Sequence, residues 1–316
     1  MSDPTGLPLV ARPAANCLRV DHATVEVVTA LRGASIRPIL LKGPAIVAWL
    51  YPTEPERRPY VDADLLVSPS QFDQAEAVLT DLGFACESPI SLRLAGDQPP
   101  HAEAWLRRAD GAVVDLHACI HGTEHVDRDV AWSTLTATTG TIDLLGTQVE
   151  TLAPPALALH AVLHRRPWDT ATSQAAADLD RALVVTPPEV WLAAADLASE
   201  LDVRAHMGAM LRCSTEGAAL ADRLDLPREW PLRLRLEADR APHAALFAAR
   251  VRDLPPGERL RAVWGKAFPP VDYVRRSRPI ARHGTAGLLA AYAWRLLIIP
   301  VRAWQVRRAD PRRRSD

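Results

Sequence analysis

Lysine is nearly absent from this chain of 316 residues: of 37 Lys and Arg side chains, only Lys42 and Lys266 are Lys. Where Arg is used almost everywhere, each surviving Lys invites a question. Cysteine is also scarce. Cys17, Cys86, Cys119 and Cys213 are scattered with no CxxC pair, which excludes a disulfide framework or a zinc ribbon and leaves free thiols as the expected state. There is no repeat period. No stretch of about 18 uncharged apolar residues occurs, so no membrane span is expected. The longest candidate, residues 286–301, is interrupted by Arg295 and Pro300. The first residues, MSDPTGLPLVARPAANC, lack the pattern of a signal peptide, and a cytoplasmic protein is expected. Gly-x-Ser-x-Gly, Walker and GxGxxG patterns are all missing, which argues against hydrolase, P-loop and dinucleotide-binding readings.

What is present is an ordinary folded composition, with 48% apolar and 24% charged residues and a net charge of -1. That near-neutrality hides a segregation. From Val271 to Asp316 there are eleven Arg and three Asp, a balance of +8, and the rest carries the opposite sign. This basic end also holds Leu288, Leu289, Tyr292, Trp294, Leu296, Leu297 and Trp304. Residues 286–304 therefore suggest peripheral contact with an anionic membrane surface. The plainer alternative is a C-terminal helix packed on the body.

The first 150 residues alternate strand-like and helix-like pieces. A helix is expected over 22–33, a short buried strand at 38–41 and a helix opening at Gly43-Pro44. A second strand follows at 62–67, then a helix from Ser68-Pro69 that stops at Gly83. Residues 102–107 and 112–119 flank Asp110-Gly111, a hairpin signal, and shorter strands are expected at 141–144 and 147–151. After Pro154-Pro155, residues 156–166, 174–185, 188–201 and 203–222 all show helical spacing. The expected fold class is therefore α+β: a small mixed sheet with flanking helices, followed by an all-helical domain. The expected divisions are 1–152, 153–270 and a basic amphipathic C-terminal segment over 271–316.

The chemistry gathers in the first domain. On a strand, Asp62 and Asp64 face one side, while Val61, Ala63, Leu65 and Val67 face the other. Two carboxylates so close repel unless a cation lies between them, and hard divalent ions such as Mg²⁺ take oxygen ligands and substrate phosphates. Alone, Asp-x-Asp is weak, and an exposed strand edge bearing two acids explains it better. Lys42 and Gly43 sit where a strand runs into a helix start, a place suited to a phosphate group. Arg58, four residues before Asp62, can reach phosphate oxygens or orient a carboxylate. Asp115 and His117 share one face of a strand otherwise built from Val114, Leu116 and Ala118. A buried acid there needs a partner, and a metal ion is a good one.

Leu41-Lys42-Gly43, Arg58-x-x-x-Asp62-x-Asp64-Leu65-Leu66-Val67, Leu82-Gly83-Phe84 and Val114-Asp115-Leu116-His117 together resemble the uncharacterised nucleotidyltransferase family of bacteria. That family is a branch of the polymerase-β-like nucleotidyltransferase superfamily. The resemblance covers about residues 20–185, because His160, His164 and Ala177-Asp178-Leu179 look like the family's helical segment. Lys42-Gly43 stands where the superfamily usually has Gly-Ser. The resemblance implies that Asp62, Asp64 and Asp115 are the catalytic carboxylates and hold two Mg²⁺ ions, with Mn²⁺ as the alternative. Lys42, Gly43 and Arg58 would bind the nucleotide triphosphate, ATP among the candidates. His117, His164 and Asp178 are accessory candidates. A nucleoside monophosphate would pass from an NTP to a hydroxyl-type acceptor (a small metabolite, a sugar or a peptide-derived group). Nucleic acid is disfavoured as a partner because the first 270 residues lack a basic stripe. Two other readings stand beside this: a catalytically inactive binding or scaffold protein, and an RNA-directed nucleotidyltransferase. His117, Cys119, His121 and His125 offer zinc ligands but lack a second half-site, so a zinc centre is not expected.

Overall fold

Two of the sheet's strands are buried on both faces, and the packing around the sheet follows from them. The computed structural model describes residues 12–87, 101–169, 173–239, 247–248, 251–252, 254, 256–269, 271, 274–275 and 278–297. Seven strands form one mixed sheet in the order β3-β4-β5-β2-β1-β7-β6. They are β1 (Ile39–Leu40), β2 (Ala63–Leu66), β3 (Ala85–Cys86), β4 (Ala102–Arg107), β5 (Ala112–His117), β6 (Thr139–Leu144) and β7 (Thr147–Leu152). β1 and β2 sit inside the sheet and are buried at every residue, as interior strands covered on both sides must be. β2 runs parallel to β5, with Ala63 opposite Val114, Asp64 opposite Asp115 and Leu66 opposite His117.

One face of the sheet packs on α1 (Arg12–Gly33) and α3 (Phe72–Asp81). Val20, Ala23, Val27, Val28 and Leu31 recur at helical spacing along α1. They meet Ala63 and Leu65 of the second strand, Val114 and Leu116 of the fifth, and Val67 and Ala118 just after those strands in one core. Strand alternation then forces Asp64, Asp115 and His117 onto the other face. The helices that follow the sheet are α5 (Pro154–His164), α6 (Gln174–Val185), α7 (Pro188–Glu200), α8 (Arg204–Leu211) and α9 (Thr215–Arg223). The short α2 (Pro44–Leu50) links β1 to the loop before β2, and α4 (Arg128–Thr136) follows β5.

Several expectations are corrected. The first helix begins ten residues earlier than 22, since Pro13 is tolerated in a first turn. Val61 does not belong to the buried face of β2: it lies before the strand and is 59% exposed. The single helix expected over 203–222 is two. Ser214 takes an extended conformation and its Oγ accepts from the Gly217 N–H at 3.2 Å, so a new helix starts there. α4 and β3 carried no expectation. α4 is started by Asp127, whose carboxylate accepts from the N–H groups of Asp129 and Val130.

The contacts divide the chain into two compact units, one ending at Glu229 and the other beginning at Trp230. The second contains helices over Leu232–Ala238 (α10), Pro256–Ala267 and Gly284–Leu297, with a small cluster of Val274, Ala281 and Ala291. Leu289, Trp294 and Leu297 are exposed on the last helix. The remainder of the 286–304 segment, with the Arg-rich tail, lies outside the described residues. Among the described residues, no helix is long and apolar enough to cross a membrane.

Candidate active site

A cleft of about 400 Å³ opens beside the polar face of β2, with Asp115 and His117 of β5 adjoining Asp64 at its edge. Asp62 and Asp64 enter it from the β2 side, Lys42 from the end of β1, and His160 and His164 from α5. Asp64 is buried, while Asp62 and Asp115 are half-buried. Asp64 Oδ1 accepts from Lys42 Nζ at 2.6 Å and from His117 Nε2–H at 3.0 Å. Lys42 Nζ also lies 3.2 Å from His164 Nε2, and because an ammonium only donates, that imidazole nitrogen accepts. Among the described residues, Asp64, Asp115 and His117 form the one metal-capable group, with a ligand atom from each within 4.8 Å of the others.

The electrostatics are those of an under-compensated acidic site. Burial and the Asp64 charge push the Asp62 carboxyl up, and burial and the same neighbour push Asp115 up. Burial would raise Asp64 as well, but the His117 hydrogen bond and the Lys42 charge overcome it and hold that carboxyl well below the usual range. Three carboxylates thus share one ammonium.

Gly43 completes the turn from β1 to α2 with φ 58° and ψ -118°, a conformation that L side chains avoid. The junction is poorer in free N–H groups than a typical helix start. Pro44 has none, and the Ala45 N–H binds the Lys42 carbonyl at 3.2 Å. Arg58 is not a free cation. Its Nη2 donates to Asp178 Oδ2 at 3.0 Å and its Nε to the same oxygen at 3.3 Å, both side chains being buried. Tyr51 and Gln174 donate to Asp178 Oδ1 at 3.2 and 2.9 Å. The Arg58–Asp178 pair fastens the loop before β2 to α6 beside the cleft. Removing one member of a buried pair strands the other's charge. Asp178→Ala is expected to cost about 3–5 kcal/mol of unfolding free energy in urea titration.

His117 joins the acids as its strand position required. His164 lies with them through Lys42, and Asp178 joins Arg58 instead. The zinc set is not assembled. His125 is 3.8 Å from Asp202, His121 bonds Glu124 at 3.0 Å, and Cys119 Sγ receives the Arg128 guanidinium.

His160 is the residue that spacing alone undervalued. It is 2% exposed, lines the cleft, and among the described residues neither ring nitrogen has a hydrogen-bond partner. Its signal was the His160–His164 interval of four on one helix face. Burial lowers the pKa of His160 well below the ordinary value and that of His164 to about 3, and burial likewise lowers His101. All three are neutral when folded but must protonate in an unfolded chain below about pH 6.5. Stability present above that pH is therefore lost as the pH falls, by up to about 1.4 kcal/mol per pH unit for each group. His160→Leu is expected to flatten this acid slope between pH 6.5 and 5 in urea titrations, with stability at pH 7.5 unchanged or raised.

A buried acid lies opposite a second acid across parallel strands, with a Lys-Gly turn beside them. The chain belongs to the uncharacterised nucleotidyltransferase family, whose model matches residues 13–217. Among solved structures it is similar to an antigenic nucleotidyltransferase-like protein from Paracoccidioides brasiliensis. The identity is 19%, over 58% of this chain and 90% of that one, with a TM-score of 0.35. No curated protein matches.

Proposed function

We propose that the protein is a divalent-cation-dependent nucleotidyltransferase that moves a nucleoside monophosphate from an NTP to a hydroxyl-type acceptor. The observation that carries this reading is the register of Asp64 against Asp115, with Lys42 Nζ 2.6 Å from Asp64. The donor set fits hard cations: Asp62, Asp64 and Asp115 supply three negative charges against one from Lys42, and Arg58 is committed to Asp178.

Asp62 and Asp64 would hold one ion together with the triphosphate, and Asp64 and Asp115 a second. Such a pair, when bound, stabilises the attacking and leaving oxygens of an in-line displacement at the α-phosphorus. The chain's own groups do the rest. Lys42 neutralises phosphate oxygens once its ammonium is released from Asp64. Asp115, half-buried and raised in pKa, accepts the proton of the attacking hydroxyl. The acceptor oxygen bonds to the α-phosphorus as the bond to the pyrophosphate oxygen breaks. His160 and Gln174, from the helices that follow the sheet, line the acceptor side of the cleft. A small acceptor is favoured, because a cleft of about 400 Å³ suits small-molecule ligands.

The test is incubation with each α-³²P-labelled NTP and Mg²⁺, in the presence of a metabolite extract. Labelled product or self-labelling is expected, and Asp62→Asn should abolish it. Wild-type protein that fails to bind Mg-NTP by calorimetry would sink the enzyme reading.

A further inference from the structure

The Asp64–Asp115–His117 group is not a set of oxygens alone, and this bears on which ion it takes. We propose that His117 is a direct metal ligand. The position it shares with Asp64 and Asp115 would then select a first-row transition ion such as Mn²⁺ over Mg²⁺, while Mg²⁺ enters with the nucleotide. The inference rests on the nucleotidyltransferase reading and adds the identity of one of its two ions.

Three observations support it. His117 Nε2 and Asp64 Oδ1 are 3.0 Å apart. That is the separation of adjacent donors around an octahedral ion with bonds of about 2.1 Å. The pair also sits with Asp115 inside a 4.8 Å group, and Asp115 lies two residues from His117 on the same strand face. Finally, His117 is 5% exposed and its Nδ1 has no hydrogen-bond partner among the described residues. With Nδ1 unpartnered, the ring proton can sit on Nδ1, which leaves the Nε2 lone pair to face an ion. Imidazole suits Fe, Ni, Cu and Zn best; Mn²⁺, an oxygen-preferring ion at the weak end of that row, still accepts a nitrogen more readily than Mg²⁺, which sheds water reluctantly. Lys42 lies on the same Asp64 oxygen and is the cation that holds this place when no metal does.

The experiment uses the full chain without nucleotide. Mn²⁺ and Mg²⁺ binding are measured by calorimetry, and the Mn²⁺ complex by electron spin echo envelope modulation, which detects a coordinated nitrogen. The expected result is Mn²⁺ binding about tenfold or more tighter than Mg²⁺, with a ¹⁴N coupling. In His117→Gln the coupling disappears and the preference falls to about threefold or less, with Mg²⁺ affinity little changed. His117→Asp, an all-oxygen set, is the second variant and should shift the balance towards Mg²⁺. Mn²⁺ binding without nitrogen coupling, or a preference that survives both variants, overturns the assignment of His117. Failure of either ion to bind at all would also overturn it, and would count against the nucleotidyltransferase reading as well.

Discussion

Asp64→Asn is expected to lower nucleotide transfer by about 10³-fold or more while the protein stays folded. Asp64 is the hinge of the charge arrangement: it lies opposite Asp115 across the sheet, two residues from Asp62, and bonds both Lys42 and His117. An amide of the same shape keeps an acceptor for Lys42 and fills the same space, so the core beneath it, built from Ala63 and Leu65, is untouched. It loses the negative charge that both proposed metal positions would share. Loss of stabilisation aimed at the reacting phosphoryl group is worth several kcal/mol, which is three decades or more in rate. The measurement is single-turnover transfer of α-³²P-labelled nucleotide, alongside circular dichroism and a urea midpoint. Near-wild-type transfer by a folded Asp64→Asn would refute the role given to this carboxylate.

The second large effect is at Lys42. Its ammonium sits between Asp64 Oδ1 at 2.6 Å and His164 Nε2 at 3.2 Å, with the side chain 18% exposed. A point charge with rotatable donors fits two partners on different elements, but a rigid guanidinium fork does not. Lys42→Arg is therefore expected to reduce transfer by about 10- to 100-fold despite conserving charge. Lys42→Met separates the ammonium's two duties. Without it, an incoming metal ion meets no competitor at Asp64, so divalent binding in the absence of nucleotide should tighten by about tenfold. Nucleotide affinity should fall. The metal-free variant should also be less stable than wild type, since Asp64 loses an ion-pair partner, and added Mn²⁺ should raise its Tm more than that of wild type. Calorimetry and thermal melts with and without Mn²⁺ read both effects. An unchanged metal affinity in Lys42→Met would mean that ammonium and ion do not share the oxygen.

Much of the site was legible because it is built on regular strands. Alternation placed Asp64 on the polar face of β2 and did the same for Asp115 and His117 on β5. Parallel pairing of the two strands, which apolar runs such as Leu65-Leu66-Val67 favour, was then enough to bring them together. The β4–β5 hairpin was legible from its Asp110-Gly111 turn, and the sixth and seventh helices from their periodic spacing. What could not be read were pairings with no period. Arg58 and Asp178 are 120 residues apart, and nothing in either segment says that the guanidinium will be held by α6 rather than left for phosphate. His160 shows in the sequence only as one of two histidines four apart on a helix. Only burial without a partner sets it apart. The break between α8 and α9 turned on one serine hydroxyl competing with the backbone, a contest that apolar spacing does not record.

The scarcity of lysine has an experimental consequence. An acylating reagent aimed at side-chain amines has two targets here, Lys266, which is exposed, and Lys42, which is shielded by its carboxylate partner. A peptide map would report the two on one chromatogram, with Lys266 as the internal clock of reagent strength and Lys42 as the reporter. The occupancy of the cleft can then be followed through the modification rate of a native residue, with no engineered probe and no knowledge of the acceptor. Screening compounds for those that slow labelling at Lys42 while sparing Lys266 turns an accident of composition into a ligand-finding assay.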